Sequence, residues 1–132
     1  MHFYKDLFGM EEIPSPDFPS PVRWLKVGTL QLHLFASEET APTPHHFGLD
    51  VEDFEAVYLK AKDMGAQVSE GYFSKVKELP DGAVQLYLLD PAGNMVEVNY
   101  PDAAALDRSV VGQIAKVSAK SQESAKARLY MR

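Results

Sequence analysis

"HHFGLDVEDFEAVYLKAKDMGAQV", residues 45–68, decides the fold. Its opening alternates: Phe47, Leu49 and Val51 fall on one face, and His46, Gly48 and Asp50 on the other. That is the pattern of a strand with one buried face. From Glu52 the period changes. Phe54, Val57, Tyr58, Ala61 and Met64 recur at helical spacing and make one apolar stripe. Asp50, Glu52 and Asp53 stand at the positive end of that helix, and Gly65 follows its last turn, where a left-handed residue closes it. A strand running directly into a helix over 52–65 is predicted.

Outward from this unit the pattern continues. "AQVSEGYF" (66–73) reads as a strand, and "GAVQLYLLDPAGNMVEVNY" (82–100) as a hairpin turning at Asp-Pro-Ala-Gly-Asn. Upstream, "MHFYKDLFGM" (1–10) predicts a short helix with Phe3, Tyr4, Leu7 and Phe8 on one face and Gly9 at its end. "PSPDFPSP" (14–21) is a loop, since its prolines forbid helix. "VRWLKVG" (22–28) and "LQLHLF" (30–35) alternate as paired strands joined at Gly28-Thr29, and "EETAPTPH" (38–45) is a polar linker. The halves repeat: a helix ending at Gly-Met or Met-Gly, then three strands. The second half has a strand before its helix, and the first half lacks one. Module one is assigned to 1–40, module two to 45–100 and a C-terminal tail to 101–132. Leu106, Val110, Val111, Ile114 and Val117 have helical spacing, which favours an amphipathic helix over 102–117. The competing reading takes "QIAKVSA" (113–119) as a strand, a displaced copy of the missing one. The end of the tail carries Leu129, Tyr130 and Met131, suited to packing on the body or on a partner chain.

Composition narrows the function. The formal charge of −6, with 13 Lys and Arg against 19 Asp and Glu, opposes a nucleic-acid binder, which needs clustered cations. The absence of cysteine excludes disulfides, Cys-zinc sites and thiol nucleophiles. No apolar run approaches the length of a membrane span and no signal peptide is evident, so no membrane partner and cytoplasmic residence are expected.

Three polar residues stand inside apolar strands: His33, His46 and Glu97. His33 shares a face with Gln31 and Phe35; Glu97 shares one with Met95 and Asn99. A lone histidine on a strand is ordinarily hydrogen-bonded or at the surface, and a carboxylate on an open face ordinarily solvated. The repeat changes the weighing, because His33 and Glu97 hold equivalent places on the last strand of each half. Two imidazoles and one carboxylate form a facial triad suited to a divalent first-row metal with positions open for substrate. A metal also relieves the cost of a buried carboxylate. His2 opens a helix and reads as a surface residue.

"HHFGLDVEDFEAVYLKAKDMGAQV" followed by "LYLLDPAGNMVEVNY" resembles the vicinal oxygen chelate superfamily, also called the glyoxalase/bleomycin resistance/dioxygenase fold. "FYKDLFGM" resembles its first-module helix, and the likeness runs in order over about residues 1–100. The resemblance implies an α+β fold of paired βαβββ modules whose sheets cup a metal, here with the first module lacking its first strand and a helical C-terminal extension. It implies ligands on the first and last strands of each module. By position these are His46 and Glu97 from module two and His33 from module one, so His46 rather than His45 does the chemistry. The ligand of the absent first strand has no counterpart.

The implied function is a glyoxalase-like metalloenzyme, an isomerase or lyase that chelates vicinal oxygens of a small substrate on a divalent metal (Zn, Ni, Mn or Fe). Glu97 doubles as the candidate catalytic base, and Trp24, Gln85 and Tyr87 are expected in the cup wall. The alternatives are a metal-free, bleomycin-resistance-type sequestering protein and an Fe(II) extradiol dioxygenase. Arg23 is the arginine of the predicted sheets, thin for clamping the carboxylates of glutathione. The absent strand would leave "LQLHLF" with an uncovered edge, so a homodimer is expected.

Overall fold

The computed structural model describes residues 1–42 and 44–130; Thr43 of the linker, and Met131 and Arg132 of the tail, lie outside the described residues. The chain divides into two compact units, Met1–Ala41 and Pro42–Arg132. The architecture is α+β and of the βαβββ type, with three strands in the sheet of the first module and short helices in the C-terminal extension.

In the first unit, α1 (His2–Phe8) buries Phe3, Tyr4 and Leu7 and ends at Gly9, as the sequence predicts. β1 (Glu11–Ile13), β2 (Val22–Val27) and β3 (Leu30–Phe35) form an antiparallel sheet in the order β1-β2-β3. Register pairs Trp24 with His33 and Leu25 with Leu32, so Leu25, fully buried, and Trp24 serve opposite faces. His2 is exposed.

The second unit begins with β4 (His46–Asp50), which leads into α2 (Phe54–Asp63). Asp53 caps α2 through its side chain, accepting from the Ala56 N–H at 3.0 Å. Phe54, Val57 and Ala61 are buried, whereas Met64, the last member of the predicted stripe, is 42% exposed. β5 (Lys77–Glu78), β6 (Val84–Leu89) and β7 (Met95–Tyr100) complete the module, and the sheet runs β4-β7-β6-β5-β8, with β8 at Ala115–Lys116. The β6–β7 turn is built by Asp90, whose carboxylate accepts from the backbone N–H groups of Ala92 and Asn94 at 2.9 and 2.8 Å and from the Asn94 amide at 2.9 Å. One face of the sheet carries Leu49, Val96, Val98, Leu86, Leu88 and Val84, all buried. α2 packs on that side, with the Phe54 ring 6.1 Å from that of Tyr100. The other face carries His46, Gly48, Glu97, Tyr87 and Gln85.

Two local expectations are corrected. Residues 66–73 do not form a strand: Gln67 makes one isolated bridge to Leu88, Tyr72–Ser74 form a 3₁₀ turn, and the strand comes later, at β5. Nor is 102–117 a single helix. A 3₁₀ turn at Ala103–Ala105 and α3 (Arg108–Val111) are followed by β8, which pairs in parallel with β5, and α4 (Gln122–Ala125) comes in the tail. Gly112 is the breaking point, because its φ of 68° and ψ of −148° lie outside any helix and are open mainly to glycine. Beyond it the backbone of Ala115 and Val117 donates to Val76 and Glu78 at 2.9 and 2.8 Å. Part of this segment is therefore strand, but β8 extends the sheet of module two and is not a copy of the strand missing from module one. The tail returns to its own unit, where the Leu129 N–H donates to Asp81 at 2.8 Å.

Candidate metal and substrate site

His46 and Glu97 come together on the second unit's open face. β4 and β7 run parallel with Gly48 opposite Glu97, which sets His46 one pleat away on the same side. The His46 Nε2 lies 3.1 Å from Glu97 Oε2. Its Nδ1 lies 2.7 Å from the Pro44 carbonyl, which can only accept, so Nδ1 carries the proton. In the neutral ring, Nε2 then presents a lone pair toward a carboxylate oxygen. Two such atoms that close need a shared cation: a proton on the ring, or a metal. Two donors about 2.1 Å from one ion and at right angles are about 3 Å apart, so the pair fits a divalent metal. The Pro44 bond is also the kind of outer contact that orients a ligating imidazole.

Gly48 makes room for this pair. A Cβ there would stand 3.1 Å from Asn99 Nδ2 and 3.4 Å from Glu97 Oε1. Asn99 itself is buried, and its Oδ1 has no hydrogen-bond partner. Tyr87, paired with Glu97 in register, is buried and sets its ring edge-on to His46 at 5.4 Å. Its hydroxyl donates to Gln85 Oε1 at 3.3 Å. Burial, reinforced by the Glu97 charge, pushes the Tyr87 phenol well above its usual range, so it stays a donor. Phe73 packs at 4.8 Å from Tyr87 and 6.4 Å from His46 and walls the site on one side.

His33 belongs to the first unit. Its ring stacks on Trp24 at 4.0 Å and 7°, and its Nε2 donates to Gln31 Oε1 at 3.1 Å, leaving Nδ1 without the proton in the neutral ring. The Trp24 Nε1 is buried with no partner. Among the described residues, no group of three or more His, Cys, Asp or Glu side chains is placed to hold one metal ion. His45 is exposed and precedes the strand. Asn99, Phe73 and Lys77 were missed by sequence reasoning. Asn99 had a usable signal, two residues beyond Glu97 on the same face; Phe73 lay in a segment read as strand, and Lys77 lay between the segments that were read.

Residues 1–98 match the model of the Glyoxalase/Bleomycin resistance protein/Dioxygenase superfamily, and the chain belongs to that superfamily. No curated protein matches the sequence significantly. Among solved structures, a glyoxalase family protein from Bacillus anthracis is similar, with a TM-score of 0.60 and 24% identity over 74% of this chain and 78% of that one. A lactoylglutathione lyase from Agrobacterium tumefaciens gives 0.54 and 24% over 80% and 85%. The fosfomycin resistance protein FosX from Listeria monocytogenes gives 0.56 and 14% over 74% and 78%. At these identities the likeness is one of fold. Among the described residues, no helix is long and apolar enough to cross a membrane.

Proposed function

We propose that this chain is a glyoxalase-like metalloenzyme acting on a small molecule through two neighbouring oxygens. The observation that carries the reading is the 3.1 Å approach of His46 Nε2 to Glu97 Oε2, with the His46 proton committed to Pro44 on the far side of the ring. His46 and Glu97 would hold a divalent metal. A metal bound there supplies Lewis acidity that stabilises negative charge developing on a chelated oxygen.

The remaining roles fall to the chain's own side chains. Glu97 would take a proton from the substrate carbon beside those oxygens and return it to the neighbouring one. Tyr87, held protonated, would turn its hydroxyl from Gln85 to the oxygen that gains charge. Phe73 and Tyr87 exclude water from one side, which strengthens each of these interactions. Gln85, on the same face of the sheet, would line the wall.

A second reading is a metal-free binding protein in which His46 and Glu97 form an ion pair. It is favoured by the lack of a three-donor cluster among the described residues. Elemental analysis of protein purified without an affinity tag separates the two. About one divalent ion per chain in the wild type, lost in His46→Ala, supports the enzyme. No metal in the wild type, and none taken up from Zn, Ni, Mn or Fe(II) salts, overturns it in favour of the binding protein. Oxygen uptake with a catechol would move the assignment to an extradiol dioxygenase.

A further inference from the structure

Lys77 is the exception on the open face of the second unit. It is 5% exposed, yet its Nζ has no hydrogen-bond partner. The ammonium lies over the Tyr72 ring, and the Phe73 ring is 5.9 Å away. A charge held this way is kept at a cost, since the ring replaces only part of the lost hydration. Burial, with Lys75 beside it, pushes the Lys77 amine below its usual range.

The surroundings indicate what would relieve that cost. Lys77 borders a pocket of 490 Å³ that is also lined by Tyr72, Lys75, Ala115, Lys116 and Val117. Lys116 pairs in register with Glu78 and so projects from the opposite face, whereas Lys75 and Lys77 are the cationic residues on this side of the sheet and no acidic residue belongs to the lining. On a chain of net charge −6, that is a local reversal of sign. The pocket exists because β8 lies beside β5 and places Ala115 opposite Lys77. It is continuous in register with the proposed catalytic face: Lys77 pairs with Gln85, Gln85 with Asn99, and Gln85 accepts from Tyr87. Two strand spacings, on the order of 10 Å, separate β5 from β7 and Glu97.

We propose that Lys77 and Lys75 form an oxyanion-binding subsite, so that the substrate carries a phosphoryl or carboxylate group on the order of 10 Å from the oxygens held at His46 and Glu97. The pocket stands on its own geometry; its link to catalysis rests on the function proposed above. Lysine binds such groups as a point charge, and a buried ammonium with unused donors gains most from one.

The test is calorimetric titration of the full chain with inorganic phosphate, and separately with acetate, at constant ionic strength. Saturable binding by the wild type is expected, weakened about tenfold or more in Lys77→Met and retained in Lys77→Arg. Stronger binding of phosphate than of acetate selects a phosphoryl substrate, and the reverse a carboxylate. His46→Ala should bind the anion as the wild type does, so a failed metal assay and a failed anion assay are separate results. Should Lys77→Met not fold, Lys75→Gln, at an exposed position, should weaken binding about threefold or more. Absence of saturable binding with both anions, or binding undiminished by these substitutions, overturns the proposal.

Discussion

His46 and Glu97, 51 residues apart in the chain, face each other at 3.1 Å across the parallel β4–β7 pair, with the imidazole aimed by the Pro44 carbonyl. The strand alternation decides which of two adjacent histidines can take part. His46→Ala is therefore expected to lower bound metal far more than His45→Ala, measured by elemental analysis. Equal losses in both would mean that the face assignment is off by one residue, since a slip of one exchanges the faces.

Gly48 faces the same pair. Gly48→Ala would bring a methyl group to 3.1 Å from the buried Asn99 amide. Asn99 is packed in, so the strain has little outlet. A loss of about 1–2 kcal/mol in urea unfolding is expected, together with weaker metal retention. An alanine variant as stable as the wild type would show that Asn99 can move.

Lys77 makes stability depend on alkaline pH in a definite direction. Its native pKa is depressed, so the unfolded chain binds more protons there than the folded one. The penalty is full below the lowered native value and is relieved as pH rises toward about 10.4, the unfolded value. The stability of the wild type minus that of Lys77→Met should accordingly become more favourable as pH rises through the alkaline range toward about 10.4. A difference that stays flat or falls over that range would contradict the burial cost.

Phe54 is among the largest fully buried side chains and joins α2 to the core face of the sheet. Phe54→Ala should cost about 3–5 kcal/mol and lower the thermal midpoint accordingly. A cost under about 1 kcal/mol would mean that α2 is not docked as described.

β3 is an edge of its three-stranded sheet, and Leu30 and Phe35 on it are 40% and 63% exposed. Such an edge recruits a second chain, and a two-fold pairing is the commonest outcome. Sedimentation velocity at micromolar concentration should therefore give a dimer, and Phe35→Lys should shift it toward monomer. A wild-type monomer would rule out the dimer.

What the sequence determined by itself is whatever neighbouring residues decide among themselves. The α2 stripe, the Asp53 cap, the Asp90 turn and the faces of β3, β4 and β7 all follow from periods and side-chain reach of a few residues. The family was legible for the same reason, since its motif is a run of such local signals. The tertiary structure alone decided where the backbone hydrogen bonds of 113–117 go. The apolar spacing there suited a helix, but Gly112 interrupts it and the free edge of β5 offers partners no local pattern announces. It also decided that Lys77, on a two-residue strand with no apolar pattern to mark it, lies buried under Tyr72. Burial and strand pairing are properties of the partner as much as of the segment, and the partner is set by packing over long chain separations.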